Sequence, residues 1–186
     1  MKRIRGYFLL VTISIFTILS ILTACSKPQS VKTNMYNGKA LRIGIIGETP
    51  KVMEEKVTFG KIQFSDLEKD MFDSQYDAIF ITKNNLSEAS QGKYAAIYKK
   101  SKIPFFFIQT EKSYVPFIEK DLTYHNVPKF TDQSYATGIM YNGNRLNFWG
   151  YGLYNDIENQ SNIKDVYSRI FETIYQNTMP NLSTSY

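Results

Sequence analysis

Three almost uninterrupted apolar runs, each of strand length, constrain the fold of this chain more than any other feature. They are Leu41–Gly47 (LRIGIIG), Ala78–Thr82 (AIFIT) and Ile103–Ile108 (IPFFFI). A strand that is covered by protein on both faces reads as a continuous apolar run, whereas a strand with one solvated face alternates apolar and polar residues. The three runs therefore predict a sheet that is buried on both sides.

Segments with helical signals separate these runs. Thr49 and Pro50 supply an N-cap and a first-turn proline, which predicts a short helix through about Lys56. The remaining predictions for this part of the chain are a second strand over Val57–Phe64, a capping box at Ser65–Glu68 that begins another short helix, a helix over Leu86–Ser101 and a short helix over Ser113–Lys120. Strands that alternate with helices in this way predict a parallel sheet wrapped by helices.

The last third of the chain changes character. Two apolar runs flank Asn142-Gly143-Asn144, and Asn-Gly between such runs predicts a β-hairpin with strands over Tyr135–Tyr141 and Arg145–Tyr151. The final helix shows the strongest periodicity of the chain, because its apolar residues follow the spacing of one helix face and Pro180 ends it. These apolar residues are Ile163, Val166, Tyr167, Ile170 and Ile174.

The predicted fold class is α/β: a small three-layer sandwich with a mainly parallel sheet, flavodoxin-like in plan, followed by a C-terminal hairpin and helix. The segments Leu41–Gly47, Tyr76–Thr82 and Lys102–Ile108 also resemble one lobe of a periplasmic solute-binding protein. That resemblance implies ligand binding, although the second lobe that would close over a ligand is missing. The mature domain is not assigned to a named family.

The first 25 residues resemble a bacterial lipoprotein signal. A basic start at Lys2, Arg3 and Arg5 precedes a mostly apolar run, and Leu22-Thr23-Ala24-Cys25 matches the lipobox at all four positions. The resemblance implies that Cys25 receives a diacylglyceryl group and becomes the first residue of the mature protein. Two acyl chains anchor a protein to a membrane far better than one. An uncleaved transmembrane helix and a plain secretory signal are the alternatives.

These signals divide the chain into four parts. Residues 1–24 are the predicted signal peptide, residues 25–40 the lipidated cysteine and a polar flexible tether, residues 41–180 a single α/β domain and residues 181–186 a tail. The predicted location is the outer side of the cell membrane. In a cell with two membranes, Ser26 after the cysteine resembles an outer-membrane sorting signal.

Charge and cysteine content exclude several functional classes. Residues 1–24 contain three basic and no acidic residues, so removing them lowers the formal net charge from +5 to +2. Such a small net charge gives no support to a nucleic-acid partner. Cys25 is the only cysteine of the chain, which excludes an intramolecular disulfide and a Cys-x-x-Cys site.

Candidate ligand-binding residues follow the predicted strands. Parallel sheets bind ligands beyond the carboxyl ends of their strands, where this sequence places polar residues. The candidates are Glu48, Thr49, Asp66, Asn84, Asn85 and Glu111. Lys83 and Gln109 lie at the same predicted edge. The competing interpretation is that these are ordinary turn and capping residues.

We expect no metal and no cofactor. Gly44-Ile-Ile-Gly47 lacks the third glycine and the spacing of the dinucleotide fingerprint, and Glu48 would repel a phosphate bound beside it. His125 is the only histidine, so a His-rich metal site is excluded. It remains a candidate general base, or a loop histidine that pairs with backbone or water.

The sequence therefore predicts an extracytoplasmic lipoprotein that serves as a non-enzymatic binding or accessory protein of the cell envelope. Its expected partners are the membrane, through the diacylglyceryl anchor, and an envelope protein or a small molecule. Two alternatives stay open: a small envelope hydrolase that uses carboxylates or His125, and a purely structural envelope protein. Clustering of His125 with Asp66 or Glu111 in a pocket would favour the hydrolase, and a flat edge without a cavity would favour the structural role.

Overall fold

The computed structural model describes residues 31–69, 71–129 and 134–178. Cys25 and the predicted signal peptide lie outside these residues. Six strands form one sheet: β1 (Leu41–Ile46), β2 (Val57–Lys61), β3 (Ala78–Ile81), β4 (Phe105–Ile108), β5 (Ser134–Asn142) and β6 (Arg145–Gly152). Their order across the sheet is β2-β1-β3-β4-β5-β6.

Five α-helices accompany the sheet in the described part of the chain. They are α1 (Phe64–Leu67), α2 (Leu86–Ala89), α3 (Gly92–Lys100), α4 (Val115–Ile118) and α5 (Gln160–Thr178). Three of them have four residues each and α3 has nine, whereas α5 extends over 19 residues. The long apolar stripe predicted for the last helix is confirmed, since Val166, Tyr167, Ile170 and Ile174 are all buried.

Two hydrophobic clusters cover the two faces of the sheet. On one face, Ile43, Phe80 and Phe106 pack against α5, and the rings of Phe80 and Phe171 are stacked with centroids 6.2 Å apart. On the other face, sheet residues such as Ile79 and Phe107 pack against the shorter helices. The three apolar runs of the sequence are thus buried on both sides, as a continuous apolar pattern requires.

The prediction of a mainly parallel, flavodoxin-like plan is wrong. The chain is α/β, but its sheet is mixed: β1 pairs in parallel with β2 and β3, and β3 with β4. β5 runs antiparallel to β4, and β6 antiparallel to β5. The sheet therefore has three parallel and two antiparallel pairings.

Two glycines shape the antiparallel part of the sheet. Gly143, with φ of +60°, forms the tight turn that joins β5 to β6, and a turn of that length permits only antiparallel pairing. Gly138 lies opposite Phe106, where an added Cβ would come within 2.5 Å of the Phe106 ring. The glycine leaves space for that ring, which allows β5 to pack beside β4.

Two of the predicted helices differ in the structure. Residues 49–56 form a loop, because Glu54 turns inward and its carboxylate accepts hydrogen bonds from the Ser168 hydroxyl and from the Met53 N–H, the latter at 3.1 Å. The helix predicted over Leu86–Ser101 is interrupted at Ser90, whose hydroxyl accepts the Tyr124 N–H at 2.7 Å. The predicted capping box at Ser65 is replaced by one between Gln63 and Asp66.

Part of the predicted tether is packed against the domain. Tyr36 is only 7% exposed, and its ring lies 6.1 Å from those of Phe171 and Tyr175. The Tyr36 hydroxyl donates to the Lys39 carbonyl at 2.8 Å. Ser161 on α5 also donates to the Val31 carbonyl at 3.2 Å. The packed domain thus includes residues that precede Leu41.

Candidate functional site

A cleft lies where the carboxyl ends of β1, β3 and β4 meet the beginning of α5. Its cavity has a volume of about 430 Å³. Three of the predicted residues line it, namely Glu48, Thr49 and Asn84. Lys83 and Gln109, which the sequence places at the same edge, also line it, and the structure adds further lining residues, among them Lys51, Tyr135, Gln160 and Tyr167. We call this cavity the carboxyl-edge cleft.

The loop after β1 is held in place by Thr82, at the end of β3. The Thr82 hydroxyl donates to the Ile46 carbonyl at 3.4 Å and lies 3.3 Å from the Glu48 N–H, which donates to it. The Asn85 side-chain amide donates to the same Ile46 carbonyl at 3.5 Å. Asn85, a predicted ligand-binding residue, therefore supports the loop that carries Glu48.

Gln109 enters the cleft from a strained backbone position. It follows β4 directly and adopts a φ of +57°, which residues other than Gly, Asn and Asp rarely adopt. The next residue, the fully buried Thr110, donates its N–H to the Tyr135 carbonyl at 3.1 Å. Backbone strain of this kind persists where the surrounding structure enforces it, and it clusters at functional sites.

The opposite wall is formed by α5, whose first turn is capped by Asn159. The Asn159 side chain accepts the Asn162 N–H at 2.9 Å. Tyr135 and Tyr167 are both buried at this wall, and their desolvation raises the pKa of each hydroxyl. Both tyrosines therefore stay neutral at physiological pH.

The charged side chains that line the cleft form no ion pairs with other described residues. Glu48, Lys51 and Lys83 are exposed, and they take part in none of the ion pairs that the described residues form. Two cations and one anion thus face the cavity without a protein partner among the described residues. A ligand can therefore bind these groups without breaking an ion pair within the protein.

A second cavity of about 320 Å³ adjoins the cleft, since Lys83, Gln109 and Tyr135 line both. Glu111 lies here, with Asp156 and Glu158. Hydrogen bonding from Lys129 lowers the pKa of the exposed Glu111 carboxyl. Glu111 is thus close to the cleft but is already paired with a cation.

Asp66 lies apart from the other predicted residues. It lines a third cavity, of about 450 Å³, between the ends of β1 and β2. Its carboxylate accepts the Gln63 N–H at 2.9 Å and the Lys69 ammonium at 2.8 Å. The hydrogen bond from Lys69 is the main reason why the pKa of Asp66 is lowered. Asp66 is a helix-capping residue, which is the ordinary alternative that the sequence left open.

His125 lines none of these three cavities. Its Nε2 lies 3.0 Å from the Ser87 hydroxyl, and both side chains are exposed. A hydroxyl within hydrogen-bond distance of an imidazole is the arrangement of a catalytic nucleophile and its general base. Such a pair also needs a third group that orients the imidazole. Among the described residues, no carboxylate forms a hydrogen bond with His125. The histidine, Asp66 and Glu111 are therefore not assembled into one site.

The sequence reasoning missed Lys51, Tyr135, Gln160 and Tyr167. Lys51 was placed inside a predicted helix. Tyr135 reaches this edge only because β5 begins where β4 ends, which follows from antiparallel pairing. The apolar stripe of α5 contained Tyr167, but nothing in the stripe shows which end of the helix meets the sheet edge.

Within the described parts of the chain, no group of three or more His, Cys, Asp or Glu residues is arranged to hold a metal ion. None of the helices among the described residues is both long and apolar enough to cross a bilayer. Comparison of the chain with protein-family models, with curated proteins and with solved structures finds no match.

Proposed function

We propose that this chain is a membrane-anchored lipoprotein of the cell envelope whose domain binds a small polar ligand without transforming it. The basic start, the apolar run and the Leu22–Cys25 lipobox support the anchor. Lipidation at Cys25 would hold the domain at the outer side of the membrane. The carboxyl-edge cleft supports the binding role.

One observation carries the binding proposal. A cavity of about 430 Å³ lies at the carboxyl edge of the parallel strands and is lined by Glu48, Lys51 and Lys83, which have no ion-pair partner among the described residues. Open α/β sheets bind ligands at this edge. A concave site with a few convergent polar groups is the usual form of a small-molecule site.

The side chains of the cleft indicate the chemistry of the ligand. Lys51 and Lys83 would hold an anionic group such as a carboxylate or a phosphate, because ammonium donors form strong hydrogen bonds with these oxygens. Glu48 would repel that group, so it would face a part of the ligand that is cationic or donates hydrogen bonds. Asn84 and Gln109 offer amide donors and acceptors for the rest of the molecule. The neutral tyrosines at the α5 wall supply apolar ring surface with polar tips.

The two other functions have less support. A hydrolase would need His125 beside a carboxylate in a pocket, whereas His125 is exposed and bonded to Ser87. A purely structural protein would be favoured by a flat edge, whereas this edge is concave. The binding role is the one for which the edge supplies both a cavity and free charges.

Thermal unfolding in the presence of chosen probes tests the proposal. The full chain, purified in detergent, is mixed with inorganic phosphate, glutamate or glucosamine, and an increase in Tm is recorded for each probe. We expect phosphate or glutamate to raise Tm in the wild type. Lys83→Gln should weaken that binding about tenfold or more, because one charge-assisted hydrogen bond is lost.

Lys99→Gln is the matched control, since Lys99 is an exposed lysine of α3 that lines none of the three cavities. This variant should retain the wild-type response to the probes. An anion effect of equal size in Lys83→Gln and Lys99→Gln would contradict the proposal, as would the absence of any response to phosphate or glutamate in the wild type.

A further inference from the structure

The sheet ends in two edge strands that differ in their chemistry. β2, at one edge, spans five residues, follows Glu55 and Lys56 directly and ends at Lys61. A short strand with charged residues at its ends is one of the ways in which proteins prevent an exposed edge from pairing with another chain. This edge is protected.

At the opposite edge, β6, a charged side chain covers the end of the strand, where the Arg169 guanidinium donates to the Gly152 carbonyl at 2.8 Å. The strand spans eight residues, and after Arg145 the chain carries no charged residue until Asp156. An added Cβ at Gly150 would meet nothing within 4 Å, so the strand is uncrowded at that point. A long edge strand that is uncharged along its length is a site for pairing with a further strand.

Exposed apolar side chains occur on β6 and in the segment that follows it. Of the six large hydrophobic residues that are exposed in the described parts of the chain, three are the methionines Met35, Met53 and Met71. The other three are Phe148, which lies on β6, and Tyr154 and Ile157, which lie in the segment between β6 and α5. Phe148 is 56% exposed although its ring stacks on Tyr114 with centroids 4.3 Å apart.

The charges at the two ends of β6 have opposite signs. Arg145 begins the strand, and Asp156 and Glu158 follow its other end. None of the three belongs to an ion pair formed within the described residues. When two copies of such a strand run antiparallel, the beginning of each lies beside the end of the other. Arg145 of each copy would then face the acidic segment of the second copy.

We propose that this edge is a dimer interface, in which β6 of one copy pairs antiparallel with β6 of a second copy about a two-fold axis. The two sheets become one continuous sheet, and the outward N–H and C=O groups of β6 gain partners. The contact is isologous and therefore closes at two copies, so no filament forms. Phe148 and its symmetry mate would lie on the same face of the joined sheet.

The oligomeric state of the full chain in detergent tests the interface. Sedimentation measures the mass of the protein without its detergent, and we expect a dimer for the wild type. Phe148→Lys should shift the protein to monomers, since like charges opposite each other destabilise a strand pair. Thr58→Lys introduces a lysine at an exposed position of the β2 edge instead and should leave the dimer intact.

A charge reversal gives a second and independent readout. Arg145→Glu should weaken the dimer because it places an acid beside Asp156 and Glu158 of the second copy. Arg145→Glu combined with Glu158→Arg should recover part of the lost association. Recovery excludes misfolding as the cause of the first effect.

Three results would overturn the proposal. The first is a wild-type monomer at every concentration tried, and the second is a dimer that survives Phe148→Lys. The third is open-ended assembly that Thr58→Lys abolishes, because it would show β6 pairing with the β2 edge of the next copy.

Discussion

The backbone of Gly47 lies so close to Thr82 that a Cβ at residue 47 would overlap with the threonine hydroxyl. Gly47 has a φ of +113°, a conformation that glycine adopts without penalty. The close approach lets the Thr82 hydroxyl bond on both sides of Gly47, to the Ile46 carbonyl and to the Glu48 N–H. The position of Glu48 in the cleft thus depends on a residue that has no side chain.

Gly47→Ala should therefore destabilise the domain and weaken ligand binding together. We expect a loss of at least about 2 kcal/mol in the free energy of unfolding, from a strained φ and a steric clash. Urea unfolding measures it. Gly150→Ala is the control, since an added Cβ there meets nothing within 4 Å. Equal unfolding midpoints for the two variants would contradict the role of Gly47.

The final helix supplies the core of one face of the sheet, and Ile170 lies fully buried within it. Ile170→Ala should lower the free energy of unfolding by about 2–5 kcal/mol, through lost burial and a cavity. Ile157→Ala removes the same atoms from a residue that is 37% exposed and should cost much less. A loss of under about 0.5 kcal/mol for Ile170→Ala would mean that α5 is peripheral to the core.

Features that depend on local chemistry could be predicted from the sequence. The stripe of α5 is visible because burial on one face requires a helical period. The hairpin is visible because its turn needs Gly143, whose φ is +60°. In both cases the residues that determine the structure lie close together in the chain.

The direction of β5 could not be predicted in the same way. The chain between β4 and β5 is long enough to return β5 in either direction. The close contact between Gly138 and Phe106, where β5 meets β4, joins residues that are distant in sequence. A glycine within an apolar run does not indicate which ring it will accommodate. The sequence therefore predicts the hairpin, but not that its first strand pairs antiparallel with β4 and makes the sheet mixed.

The residues of the candidate site could likewise be predicted only where their position depends on neighbours in the chain. Glu48 and Asn84 could be placed in the cleft because each follows a strand that runs toward it. Asp66 could not be excluded, since the capping box with Gln63 depends on an N-cap two residues earlier than the predicted one at Ser65. Tyr135 enters the cleft through the reversal of β5.

The buried tyrosines make the stability of the domain sensitive to alkaline pH. Desolvation raises the pKa of Tyr151 to about 12, whereas an unfolded tyrosine titrates near pH 10. Below pH 10 both states hold the proton, and the contribution is fully present. Between pH 10 and 12 the unfolded state loses its proton first, so stability falls as pH rises. The pKa of Tyr36 is likewise raised to about 12.

Tyr151→Phe should therefore flatten the fall in stability between pH 10 and 12. The variant also loses the hydrogen bond that the Tyr151 hydroxyl donates to Thr173 at 2.7 Å, which lowers its free energy of unfolding at neutral pH as well. Urea unfolding across this pH range measures the slope. Tyr154→Phe, at an exposed position, should retain the wild-type slope. Parallel curves for the wild type and Tyr151→Phe would contradict the assignment.

The proposed membrane anchor depends on Cys25, because it completes the lipobox and is the only thiol of the chain. Cys25→Ala should abolish incorporation of an alkyne-tagged fatty acid and leave a precursor that retains residues 1–24. The adjacent change Ser26→Ala preserves the thiol and should be labelled as the wild type is. Since each buried CH₂ adds about 0.8 kcal/mol of membrane binding, loss of the lipid should also weaken retention of the protein in the membrane fraction. Undiminished labelling of Cys25→Ala would place the lipid on another residue, and the lipobox interpretation would then be wrong.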